Sequence, residues 1–168
     1  MSRRSFITNI TPLPQHITRD RALALLHDHQ EMIQLNPLVV GFERTKAHPN
    51  ATLEEEHNCI WYEITDVVHY LPGGVAKGQI KYKAGFHNLP DGIQTHCFAP
   101  AGVDLKARWR VGGNVFGQKP EPAELGVNKP REGLYLREDV EIRCNVLLGG
   151  TVKGNLKKSH AVLVERLL

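Results

Sequence analysis

A chain of 168 residues that is 41% hydrophobic can build one sizeable core and is short for two, so residues 1–168 are read as a single domain. Its 21 basic and 18 acidic residues are mixed along the chain, giving a net charge of +3 without the basic block that nucleic-acid binding would need. No stretch reaches the ~18 uninterrupted apolar residues of a membrane helix, no apolar signal core follows Arg3-Arg4, and Cys59, Cys97 and Cys144 lack Cys-x-x-Cys spacing, so a soluble cytoplasmic protein with reduced thiols is expected.

A short strand over Ser5–Ile10 gives way at Pro12-Leu13-Pro14, and Thr18 stands where a helix N-cap would. From Arg19 to Leu35, Ala22, Leu25, Leu26, His29 and Ile33 recur on one helical face, and Asn36-Pro37 stops the helix. Strands follow over Leu38–Thr45 and Cys59–Tyr70, separated by a polar, acidic loop at Ala47–Asn58. Leu71-Pro72-Gly73-Gly74 reads as a turn.

Gln79–Asn88 alternates cleanly, with Ile80, Tyr82, Ala84 and Phe86 on one side and Lys81, Lys83, Gly85 and His87 on the other. Ile93–Ala99 is the next strand, and past the Pro100-Ala101-Gly102 corner Val103, Leu105, Ala107, Trp109 and Val111 alternate with Asp104, Lys106, Arg108 and Arg110. Gly112–Glu132 is long and rich in glycine and proline, as a lid or rim would be. A last strand, Gly133–Val146, precedes an amphipathic helix from Thr151 to Leu168 whose apolar face carries Val152, Leu156, Ser159, His160, Leu163 and Leu167.

The predicted class is α+β: an antiparallel sheet of seven strands, a helix after the first strand, and a long C-terminal helix covering the apolar face. This order resembles the helix-grip fold of the START-like (SRPBCC), polyketide-cyclase and pollen-allergen superfamily, in which a curved seven-stranded sheet wraps the C-terminal helix around a cavity. ITDVVHYLPGG, YKAGFHNLPDGIQTHCFAPAGVDLKARWRVGG, LYLREDVEIRCN and LKKSHAVLVERL resemble an uncharacterised fungal family within that superfamily, over nearly the whole chain.

The turn Leu89-Pro90-Asp91-Gly92 decides which side chains face inward. A three-residue turn with Gly92 in the left-handed position pairs Leu89 with Ile93 and puts His96 and Phe98 on the apolar face of Tyr82, Ala84 and Phe86. A two-residue Asp-Gly turn instead sets His87 opposite His96, as a metal pair would want, but turns Phe98 away from the aromatic face, so the first register is preferred. On it His96 faces inward and His87 outward.

Glu138, between Leu136 and Val140 on the apolar side of the last strand, is the charge that most needs an explanation, and Asp66 is a second if Ile60, Tyr62 and Ile64 face inward. His96, Glu138 and Asp66 are therefore the candidate acid/base groups, and Tyr62, Tyr82, Phe86, Phe98 and Trp109 the candidate ligand walls. The chain has no Gly-x-Gly-x-x-Gly, Walker loop, nucleophile elbow or His-Glu-x-x-His, and His27 and His29, two apart on a helix, cannot face one metal, so neither cofactor nor metal is expected. The resemblance implies a hydrophobic, partly oxygenated ligand of polyketide or terpenoid type, cyclised, dehydrated or isomerised without a cofactor, or else carried as a lipid- or sterol-like molecule without turnover. No membrane insertion is expected, and a homodimer is left open.

Overall fold

The structure, a computed structural model, describes residues 1–69, 77–115 and 117–168; the side chains of residues 68 and 69 are also outside the description, as is the expected turn at Leu71–Gly74. The described residues form one antiparallel sheet in the order β1-β7-β6-β5-β4-β3-β2. Its strands are β1 (Ser2–Pro12), β2 (Val39–Arg44), β3 (Ile60–His69), β4 (Lys77–Leu89), β5 (Gly92–Ala99), β6 (Val103–Asn114) and β7 (Gly133–Asn145). Consecutive strands pair as neighbours from β2 to β7, and β1 closes the far edge beside β7.

One face of the sheet is covered. Helix α4 (Gly149–Leu167) sets Leu163 and Leu167 into a core with Trp109, Val111, Leu134 and Leu136, which Ala22 and Leu26 of α1 (Arg19–His27) complete. The first half of α4 packs differently, its Val152 and Leu156 only partly buried beside Val103, Val140 and Ile142.

Three segments depart from the sequence reading. The helix expected over Arg19–Leu35 is broken at Asp28, whose backbone is extended (φ −84°, ψ 96°) and whose side chain caps α2 (His29–Ile33) through the Glu31 N–H. The acidic loop holds a helix, α3 (Leu53–Asn58), started by a capping box: Thr52 Oγ1 accepts from the Glu55 N–H and Glu55 Oε2 from the Thr52 N–H. The long segment after β6 does not line the pocket on the inner face of the sheet; its two ends border a separate pocket with Leu13, Ile17 and Arg19. The segment runs over the outer face of β7, where Glu121 accepts from the Tyr135 hydroxyl and Glu124 from the Arg137 guanidinium.

The central hairpin takes neither expected register. Leu89 pairs with Gly92 across a two-residue Pro90-Asp91 turn, so Phe86 faces Thr95, Gly85 faces His96 and Lys83 faces Phe98. His96 and Phe98 therefore lie on the outer face with Lys83 and His87, and Thr95, Cys97 and Ala99 face inward. The cause is Gly92 itself. It does not have the positive φ of a left-handed turn; it lies in the strand opposite Arg110, where a Cβ would come 1.8 Å from the Trp109 carbonyl oxygen. His27 fastens the same closure, its Nε2 donating to the carbonyls of Leu89 and Gly92 at 2.9 and 2.7 Å.

Candidate ligand cavity

The half of the inner face that α1 leaves open forms a cavity of about 550 Å3 that is partly open to solvent. Its walls are mostly apolar: Ile64, Ala84 and Phe86 from β3 and β4, Val103, Ala107 and Trp109 from β6, Val140 from β7, and Leu148, Val152 and Leu156 at the start of α4. Met32, Ile33 and Leu35 close it from the α2 side. Such a space, apolar with a few convergent polar groups, suits a small hydrophobic molecule.

Asp66, 6% exposed, reaches this cavity from β3. Both its oxygens lie 3.1 Å from the Tyr82 hydroxyl, and Asn36 Nδ2 donates to Oδ2 at 3.1 Å. Asn36 is itself oriented by the Leu38 N–H, which donates to its Oδ1. Burial raises the Asp66 carboxyl above its ordinary value, while the Tyr82 and Asn36 donors pull it back part of the way. Burial, then the nearby Cys97 and Asp66, raise Tyr82, which keeps its proton and remains the donor. Cys97, beside them, is pushed up to about 12 by burial and by the Asp66 and Asp104 charges, so it is a thiol and not a nucleophile.

Glu138 is the more enclosed carboxyl, 2% exposed and on the cavity wall. The pairing of β7 with β1 and β6 sets it between Asn9 and Trp109, and Asn9 Nδ2 donates to Oε1 at 3.2 Å. Among the described residues, Oε2 has no donor. Behind it stands His160 of α4, which the sequence placed on the apolar helix face without assigning it a partner. Its ring stacks on Trp109 with centroids 5.1 Å apart, Nε2 is 2.8 Å from Thr11 Oγ1, and Nδ1 is 3.4 Å from Glu138 Oε1. Nδ1 is fully buried with no hydrogen-bond partner. Either partner of the Thr11–Nε2 hydrogen bond can donate; in the tautomer in which Thr11 donates, Nδ1 carries the ring proton on the side of Glu138. The pair can therefore take up or deliver a proton at Oε2, the oxygen left free for a ligand.

The other candidates divide by face. Tyr82, Phe86 and Trp109 line the cavity. Tyr62 points inward but is used in packing: its hydroxyl is 2.9 Å from His29 Nδ1, and its ring meets Phe42 and Phe86 edge-on. His96 and Phe98 are outside the cavity, because the tight turn shifts β5 by one residue against β4. His96 is nevertheless buried under α3, with Nδ1 2.6 Å from Glu55 Oε1 and Nε2 2.9 Å from Asp104 Oδ1. Its ring and that of His48 lie on Phe98 with centroids 4.1 and 4.0 Å away. Burial opposes ionisation of Glu55, but the Thr52 N–H and the His96 ring outweigh it and hold this carboxyl below its ordinary value. Among the described residues no three His, Cys, Asp or Glu side chains converge as a metal site would require, and no helix is long and apolar enough to cross a membrane.

A family model described as a domain of unknown function, DUF7053, matches residues 2–168. The chain belongs to the DUF7053 family. No curated protein matches its sequence. Among solved structures, the DUF7053 chain is similar to Ara h 8.0201, with a TM-score of 0.56 and 11% identity over 99% of this chain and 98% of that one. It is also similar to the di-domain ARO/CYC StfQ from the steffimycin biosynthetic pathway, with a TM-score of 0.51 and 15% identity over 96% of this chain and 52% of that one. A protein from Thermus thermophilus, TTHA0849, matches with a TM-score of 0.50 and 14% identity over 98% of this chain and 97% of that one. At these identities the likeness is one of fold, and the DUF7053 chain has the helix-grip fold expected from its sequence.

Proposed function

We propose that this protein encloses a hydrophobic, partly oxygenated small molecule of polyketide- or terpenoid-like character and acts on it by acid/base chemistry without a cofactor, as a cyclase, dehydratase or isomerase. The observation that carries this reading is Glu138, a carboxyl with one free oxygen on the wall of an apolar cavity, backed by His160. Excluding water and fixing the fold of a flexible ligand would supply the orientation term, and Glu138 the proton transfer. The place of StfQ in a biosynthetic pathway is consistent with a biosynthetic role here. A cytoplasmic location and a fungal family background complete this reading, and both come from the sequence alone.

Native mass spectrometry of protein purified from its own cells tests the cavity: a small apolar molecule is expected to leave on denaturation. Ala107→Phe, which puts a ring into the wall, should reduce the bound fraction at least about tenfold. With the precursor of that molecule, Glu138→Gln is expected to lower kcat about a hundredfold at nearly constant KM. Undiminished turnover would remove Glu138 from the chemistry. A carrier without turnover is the second reading, and Asp66 favours it: a carboxyl tied down by Tyr82 and Asn36 is a fixed docking group.

A further inference from the structure

The charged side chains on the cavity wall are Asp66 and Glu138, and among the described residues no Lys, Arg or His reaches that wall. Both are acids and both are buried. They stand on β3 and β7 with three strands between them, so they do not form a pair. The remaining polar groups are neutral: Asn36, Tyr82 and Thr95 on one side, Thr151, Asn155 and Ser159 on α4. The nearest base, His160, lies behind Glu138 against Trp109 and is not part of the wall.

This distribution discriminates by charge. An ionised carboxylate or phosphate brought into the cavity would lose its hydration, find no cation, and face two acids in a medium of low dielectric. A hydroxyl, phenol or amine finds acceptors. Glu138 Oε2 has no protein donor among the described residues, and a carboxylate offers about four lone-pair sites, so Asp66 keeps acceptor capacity beyond Tyr82 and Asn36.

We propose that the cavity takes apolar molecules bearing hydrogen-bond donors, such as alcohols, phenols and amines, with a donor seated on Glu138 Oε2, and rejects anionic amphiphiles. This inference rests on the cavity reading above and sharpens it: the ligand is a neutral or cationic oxygenated or aminated molecule, and not a fatty acid. It also implies that any acid group of a biosynthetic precursor is removed or esterified before the molecule enters.

The test uses Nile red, an uncharged dye, as a reporter of the occupied cavity in the full chain at pH 8, displaced by decanol, decylamine or decanoate. Decanol and decylamine are expected to displace the dye at concentrations at least about tenfold below decanoate, the equivalent of about 1.4 kcal/mol. In the double variant Asp66→Asn, Glu138→Gln, which keeps shape and removes both charges, the disadvantage of decanoate should shrink to about threefold or less. Decanoate displacing as readily as decanol from the unaltered protein would overturn the proposal, whatever the stability of the variant. A well-folded double variant with an unchanged gap would also overturn it. Failure of Nile red to bind at all would bring down the cavity reading, and the proposal with it.

Discussion

Gly92→Ala is expected to destabilise the protein by about 3 kcal/mol or more, lowering the melting temperature by roughly 10 °C. The added methyl would sit 1.8 Å from the Trp109 carbonyl oxygen and 2.8 Å from the Arg110 Cα, both backbone atoms. They cannot withdraw cheaply, because Trp109 is buried and pairs with Ile93 on one side and Glu138 on the other. The control is Gly92→Asn. In a left-handed turn asparagine would be tolerated within about 1 kcal/mol, but against a neighbouring strand it should be at least as damaging as alanine. Denaturant unfolding of both variants decides between the two roles. A mild effect of asparagine would refute the tight hairpin, and with it the outward facing of His96.

His96→Ala should cost about 2 kcal/mol while leaving Nile red binding within about twofold of the unaltered protein. Truncation leaves Glu55 and Asp104, which are partly exposed, without the ring that separates them under α3, and removes a stacking partner of Phe98. A large loss of ligand binding would return His96 to the cavity. The acid side of the same cluster has a defined sign. Because the Glu55 carboxyl is lowered in the folded chain, the stability it adds is complete above its ordinary value near 4.5 and is lost as the pH falls through the lower folded value. Glu55→Gln should therefore be about 1 kcal/mol less stable at pH 7, and the difference should shrink as the pH falls below 4.5 and through the lower folded value. A deficit that stays constant over this range would assign the effect to capping geometry alone.

The succession of strands along the chain and the inward side of β6 and β7 are legible in the sequence because these strands carry a long alternation of their own. Trp109 and Glu138 each have four or more apolar neighbours at the same parity, so their facing needs no knowledge of turns. Ile93–Ala99 is shorter and mixed, with Thr, His, Cys and Phe spread over both parities. Its facing depends on how the Pro90-Asp91 turn closes, and a shift of one residue reverses every side chain. Gly92 stands out in the sequence as a position that needs glycine, but a close approach to β6 leaves the same mark there as a left-handed turn. Helix α3 has a signal that can be read: Thr52-x-x-Glu55 is a capping-box spacing, masked by a polar segment with no apolar face. The pairing of His160 with Glu138, Thr11 and Asn9 joins the last helix and the first strand to β7, and only the docking of α4 and β1 on that strand brings them together.

The extended residue Asp28 divides the cover of the sheet into two pieces that answer to different pressures. Ala22 and Leu26, before the break, are locked in the solid core, where a change of one methylene is felt throughout the fold. Met32 and Ile33, after it, look onto the cavity, with Arg166 holding the short helix in place through Glu31 and the Gln34 carbonyl. Had the helix run unbroken to Leu35, any substitution that resized the pocket would have tilted the core element as well. With the break, the bulk at positions 32, 33 and 35 sets the size of the pocket from a segment separate from the element that carries Ala22 and Leu26.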